Sequence, residues 1–290
     1  MPVKPVPMGG LRNRALIILA ILCAFAAISY GVYRFLPVEA DANPPATWGF
    51  GVDWKGCIRP DTLKLASGQS PYVDGCGFNP PWTYLVLAPL ALLPAPAGAA
   101  ILFTLTYFVY GWALLRAGAC PWMALAGLGS RFVFVNALNG NIDWLPVIGL
   151  FLPPQIGLFL VVMKPQIGAG IAVYWLAEAW RKGKIREVAR VFAPVMLAYL
   201  ASFAVFGFWP VKMGVSLSDP YNASLWPYGL AAGILLLAYA LLKQQKFAAV
   251  AATPFLAPYV NIHSYAVGMF ALIPYPVGLV LMTAMSWLIK

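Results

Sequence analysis

Charge is what this chain has least of. Asp, Glu, Lys and Arg make up 10% of its 290 residues, against about 25% in soluble domains, which excludes an ordinary water-facing globular surface. Histidine is scarcer still. His263 is the only one, and with four scattered cysteines it makes no convincing zinc site. No glycine-rich phosphate cradle of the nucleotide-binding kind is present, no even apolar/polar alternation of a transmembrane barrel, and no repeat with a regular period. No metal and no cofactor is therefore expected.

Apolar residues fill the space. They account for 62% of the chain, with a mean hydropathy of +0.79, in runs that approach the roughly 20 residues a crossing needs. The fold class this predicts is all-α: a polytopic transmembrane bundle of about nine to eleven helices, some short or re-entrant. The 26 prolines and 26 glycines suit short, kinked helices shielded by neighbours. The formal net charge of +10 is spread over the ends of apolar runs instead of one polar face. It reads as the positive-inside pattern, with some attraction to membrane lipids and no nucleic-acid partner.

The basic leader (Lys4, Arg12, Arg14) precedes an apolar run from Ala15 to Leu36. Ala40-Asp41-Ala42 resembles a signal cleavage site, but the run is longer than a signal core, so an uncleaved first helix with a cytoplasmic N-terminus is expected. Residues 37–80 then form a first extracytoplasmic loop within a single transmembrane domain spanning 1–290. This loop holds Glu39, Asp41, Asp53, Asp61 and Asp74. Pro60 to Ser67 reads as a short interfacial helix with Asp61 in its first turn. Cys57 and Cys76 are the only cysteines in the loop, hence the only pair in an oxidising compartment, and a disulfide is expected.

Beyond the loop, 81–93 is apolar but short and either spans or re-enters. Apolar runs follow at 97–115, 121–138, 144–152, 155–163 and 167–180. The basic tract Arg181, Lys182, Lys184, Arg186 and Arg190 is placed in the cytoplasm, and the C-terminus also. Counting helices from that tract puts Asp53, Asn141, Lys164 and His263 on one, extracytoplasmic, side. The localisation this predicts is a multi-pass protein of the cell's inner or plasma membrane.

Three ordered stretches carry a resemblance. Asp53-Trp54, Gly68-Gln69-Ser70-Pro71-Tyr72, and Asn79-Pro80-Pro81-Trp82 with Ala88-Pro89-Leu90-Ala91-Leu92-Leu93-Pro94 resemble the first outer loop and following helix of glycosyltransferase family 87. These are mannosyltransferases of the GT-C fold, similar to polyprenyl-phosphate-mannose-dependent phosphatidylinositol-mannoside enzymes. Gly140-Asn141-Ile142-Asp143 and Lys164-Pro165-Gln166 resemble two later motifs of the family. The resemblance covers roughly 53–180. It implies transfer of a mannose-like sugar from a polyprenyl-phosphate donor to a hydroxyl of a lipid or protein glycan acceptor at the extracytoplasmic face. Asp53 matches the family's general base, and the motif residues Tyr72, Asn79 and Gln166 fall on its substrate side.

The residues themselves allow this chemistry. Such a transfer needs a carboxylate for the attacking hydroxyl and cations for the departing phosphate. Asp53 is the candidate base, with Trp54 beside it as a sugar-stacking or interfacial wall, and Asp61 is the runner-up. Lys164, with Arg59 or Arg131, is the candidate phosphate holder. Lys164 otherwise snorkels to the interface. Asn141 and Asp143 either cap the next helix or bind the donor, and His263 binds sugar or phosphate or is structural. Two other classes stay open: a non-catalytic membrane subunit of a larger complex that keeps the fold, and a lipid or small-solute transporter.

Overall fold

The computed structural model describes residues 8–36, 50–74, 76–212 and 220–289. Glu39, Asp41, the cleavage-like triplet and Lys290 lie outside these residues. All regular structure among the described residues is helical, in twelve α-helices with short 3₁₀ and π segments between them. Three helices are long and apolar enough to cross a membrane: α1 (Met8–Phe35) over Leu16–Phe35, α4 (Ala95–Arg116) and α9 (Pro165–Phe206).

α4 is the hub. Some 56% of its apolar window is buried against 6% for the α1 window, so α4 is core while α1 covers it from outside. Leu16, Ile17, Leu19 and Leu22 of α1 are more than half exposed. A water-facing surface does not tolerate so continuous an apolar face, and lipid does.

Proline and serine set many of the helix starts. α3 (Pro81–Ala91), α5 (Pro121–Leu128) and α8 (Pro154–Val161) each begin on or just before a proline, whose fixed φ suits the first turn and whose missing N–H is no loss there. With 11 residues, α3 spans roughly 16 Å, well short of a crossing. The run expected as one helix over 121–138 is two. Gly129 ends α5, and the Ser130 hydroxyl accepts from Val133 N–H to start α6 (Arg131–Asn139). α9 is likewise two helical halves that meet at a kink inside the basic tract, where the dihedrals of Gly183 and Lys184 leave the helical region. The C-terminal apolar stretch divides into a 3₁₀ segment (Ile262–Leu272) and α12 (Pro276–Ser286).

Close backbone approach locks the N-terminal half of α9 in place. A Cβ on Gly168 would lie 2.0 Å from the Val161 carbonyl oxygen of α8, and one on Gly170 2.0 Å from that of Ala249 in α11 (Lys246–Leu256). Small residues permit such contact between helices. The Gly170 N–H also donates to Thr253 Oγ1 at 2.9 Å. The first residues of α9, and Lys164 just before it, are thus held rigidly against α8 and α11.

Candidate functional site

One side-chain chain gathers residues from four separate stretches. Asn141 Nδ2 donates to Asp53 Oδ2 at 2.6 Å and lies 3.3 Å from His263 Nε2. His263 Nδ1 lies 2.7 Å from Asp143 Oδ2, which also accepts from Ser264 Oγ at 3.2 Å. Asp143 Oδ1 faces Lys164 Nζ at 3.5 Å. The order Asp53, Asn141, His263, Asp143, Lys164 therefore runs unbroken from the half-buried loop segment into the interior.

Donors and acceptors in this chain fix its tautomer. The carboxylate of Asp143 needs a proton from His263 Nδ1, and the two Asn141 N–H groups need acceptors, one on Asp53 and one on His263 Nε2. The assignment that makes both of these contacts hydrogen bonds puts the His263 proton on Nδ1 and its lone pair on Nε2, and it gives Asn136 Nδ2, 3.4 Å from Nδ1, no acceptor there. Asn141 Oδ1 accepts from Ile142 N–H at 2.7 Å, which orients the amide. Two cationic or donor partners on a fully buried carboxylate, with Asp143 at 0% and Lys164 at 8% exposure, satisfy the requirement that charge inside an apolar bundle be paired.

Each member is positioned by local backbone geometry. Asp53 precedes a five-residue π-helical turn, Trp54–Ile58, and the segment before it is tied to the end of α6 by Gly51 N–H donating to the Leu138 carbonyl at 2.6 Å. Gly140 closes α6 in the left-handed region at φ 66°, where only glycine is unstrained. A Cβ there would lie 2.9 Å from Trp54 Cβ, so the Gly140-Asn141 turn seats directly on the Asp53-Trp54 step. His263 is set by the loop beneath it. Ala223 N–H donates to the Val260 carbonyl, Ser224 Oγ to Ala257, and Tyr265 Oη to Ala223.

Several expected roles are corrected by the structure. Asp143 makes no side-chain cap to α7 (Trp144–Gly149): His263 and Ser264 hold its Oδ2, and its Oδ1 faces Lys164 without a hydrogen bond. Lys164 does not snorkel, being buried on Asp143. Trp54 is fully buried, its indole donating to the Ala95 carbonyl at 3.1 Å, so it is a core wedge and offers no sugar-stacking face. Asp61 is 2% exposed and accepts from Gly77 N–H at 2.9 Å and Tyr84 Oη at 3.4 Å. Burial pushes its carboxyl up, with the Gly77 N–H, Lys64 and Tyr84 opposing. It pins the loop onto α2 (Arg59–Ala66) and faces no open space.

The remaining predicted residues lie apart from the cluster. Arg59 donates from Nε to the Ala91 carbonyl at 3.1 Å and from Nη2 to Leu93 at 3.2 Å, capping the end of α3. Arg131 donates to the Ile289 carbonyl at the far end of α6, roughly 13 Å along that helix from Asn139. Tyr72 donates to the Asn79 carbonyl at 2.8 Å and stacks on Trp209 at 5.0 Å, so both serve a separate aromatic cluster with Tyr84. Gln166 sits half-buried in the first turn of α9, with no described bond to the cluster. Ser264 and Asn136, whose Nδ2 lies 3.4 Å from His263 Nδ1, belong to the cluster and were not anticipated. Small polar residues in apolar helices give no periodic signal; proximity to His263 and to the Gly140 turn is the one hint.

Cys57 and Cys76 are joined by a disulfide, with a Cα–Cα distance of 5.4 Å. It encloses α2 and returns the chain to Gly77, the donor to Asp61. Closing a loop of this length removes denatured-state freedom worth about 3 kcal/mol. Non-reducing peptide mapping should recover the Cys57 and Cys76 peptides linked, and Cys57→Ser should lower the denaturation midpoint in detergent. Two free thiols would refute the pairing. Among the described residues no group of three or more His, Cys, Asp and Glu could hold a metal ion.

No protein-family model matches the chain, and no curated protein or solved structure does either.

Proposed function

We propose that this chain is a membrane glycosyltransferase of the GT-C type. It takes a mannose-like sugar from a polyprenyl-phosphate donor and passes it to a hydroxyl of a lipid or protein glycan acceptor at the extracytoplasmic face of the cell membrane. The observation that carries the reading is the linkage of the loop carboxylate Asp53 to His263, Asp143 and Lys164 through Asn141. Asp53 is half-buried, where a carboxylate can meet a substrate yet work in a low dielectric. Its described bond uses Oδ2, and Oδ1 is the atom assigned to take the acceptor proton. The π-helical turn that follows is a rare conformation concentrated at functional sites.

In this reading Asn141 orients Asp53, and His263, held by Asp143, fixes the other Asn141 N–H. Lys164 lies 3.5 Å from Asp143, beyond the 2.7–2.9 Å of a tight charge-assisted bond, so its ammonium retains reach toward a departing phosphate. The acceptor oxygen would attack the anomeric carbon as the carbon–oxygen bond to phosphate breaks, the electron pair leaving with the phosphate and the acceptor proton passing to Asp53. The test is the purified full chain in vesicles of membrane lipid extract, assayed with a panel of radiolabelled polyprenyl-phosphate sugars. Label should pass to an acceptor from at least one donor, and absence of transfer from every donor overturns the proposal.

A second reading, a non-catalytic membrane subunit, has its own observation. The buried charges of the cluster oppose each other inside it, Lys164 against Asp143, so a structural lock between α7, α9 and the 262–272 segment accounts for the charges without a ligand, while Asp143 Oδ1 and Asn136 Oδ1 make no hydrogen bond. The transporter reading draws no comparable support, since the short helices α7 and α8 abut each other and pack into the core.

A further inference from the structure

The basic tract at the break in α9 begins roughly 25 Å along the helix from Lys164, remote from the site described. Val173, Leu176, Ala177 and Trp180 recur every three or four residues, so they share one helical face, and with Arg181 they line a shallow groove. Val173 is 41%, Leu176 43% and Trp180 50% exposed. Beyond the groove come Arg181, Lys182, Lys184, Arg186 and Arg190. Two carboxylates are near, and both are engaged: Glu178 with Lys182 at 2.9 Å and Glu187 with Arg190 at 2.7 Å. Among the described residues no ion pair takes Arg181, Lys184 or Arg186.

Two of these cations stand at the groove's rim, Arg181 as a lining residue and Lys184 against Trp180. Arg181 Nη1 donates to the Leu241 carbonyl at 3.1 Å, which steadies the guanidinium and leaves further N–H groups of its five. The break at Gly183 and Lys184 folds the Lys184 ammonium back over the Trp180 ring, 5.5 Å from its centroid. Snorkelling explains a single basic residue at a helix end. It does not explain a lysine folded back over the ring of one lining residue, Trp180, next to a second, Arg181, that is itself cationic.

We propose that this stretch of α9, up to its break, binds an anionic glycerophospholipid, one acyl chain lying along Val173, Leu176 and Trp180 and the headgroup phosphate held by Arg181 and Lys184. Charge complementarity selects the occupant, since a zwitterionic headgroup brings an ammonium against the same cations. The proposal is independent of sugar transfer.

The test uses the full chain in non-ionic detergent, titrated with phosphatidylglycerol or phosphatidylcholine of identical acyl chains, with bound lipid read by native mass spectrometry. Phosphatidylglycerol should bind at least about tenfold more tightly, and Arg181→Gln and Lys184→Gln should each weaken it about fivefold. Arg190→Gln, whose charge Glu187 already offsets, should leave the preference in place. Lys184 is exposed and makes no described backbone bond through its side chain, so its variant decides even where Arg181→Gln fails to fold. Equal binding of the two lipids, an unchanged preference in Lys184→Gln, or displacement of phosphatidylglycerol by an equal concentration of inorganic phosphate overturns the proposal.

Discussion

Lys164→Met should cost about 3–5 kcal/mol of stability, read as a large fall in the denaturation midpoint in detergent. The lysine is 8% exposed, and the carboxylate opposite it is fully buried. Methionine matches the stem in length and flexibility, so packing is kept and the loss falls on the charge. Asp143 would then hold a negative charge in an apolar interior with only the His263 N–H and the Ser264 hydroxyl to stabilise it. Asp143→Asn alone should cost a comparable amount by stranding the ammonium. The double variant removes both charges together and should recover much of the loss, a coupling of neighbours far from additive. A wild-type midpoint for Lys164→Met would show that the pair holds nothing together. The same measurement separates the two functional readings in part, because a structural lock requires the loss whether or not sugar is transferred.

The rarity of charge marked the members of this site in the sequence but did not pair them. In a chain so apolar, Lys164, Asp143 and the single histidine each demand a partner, and three isolated demands are met by one cluster. Counting helices from the basic tract put Asp53, Asn141, Lys164 and His263 on one side, and the structure brings those four into one bonded chain. Arg131 and Arg59 were not legible. Whether a cation at a helix end reaches a substrate or a neighbour's C-terminal carbonyls depends on the packing of a second helix, which spacing along the sequence does not encode. Trp54 fails for the opposite reason: an aromatic beside a loop acid looks like a binding wall, but Gly98, which makes room for its ring, and Gly140, which seats against its Cβ, lie 44 and 86 residues further on. The break at Ser130 is a local signal, a serine cap after a glycine, hidden inside an unbroken apolar run.

Asp53→Asn should reduce sugar transfer by 10²- to 10⁴-fold, about 3 to 5 kcal/mol of transition-state stabilisation, with donor binding retained. Asparagine keeps the size of the side chain and an acceptor oxygen for Asn141 Nδ2 at the same site. The Asp53–Asn141–His263 linkage can therefore persist, and no fully buried charge is stranded, since Asp53 is half-buried and outside the Lys164–Asp143 pair. What is lost is the ability to accept a proton from the attacking hydroxyl. This separates Asp53 from Lys164: the first variant should fold and bind but not turn over, the second should lose stability first. Asp61→Asn is the control, because Asp61 is 2% exposed and held by Gly77 and Tyr84. Its loss should appear in stability, with the rate per folded molecule near that of the wild type. Wild-type transfer by Asp53→Asn would remove Asp53 from the chemistry, and the compensated interior of the cluster would then leave the non-catalytic subunit as the stronger reading.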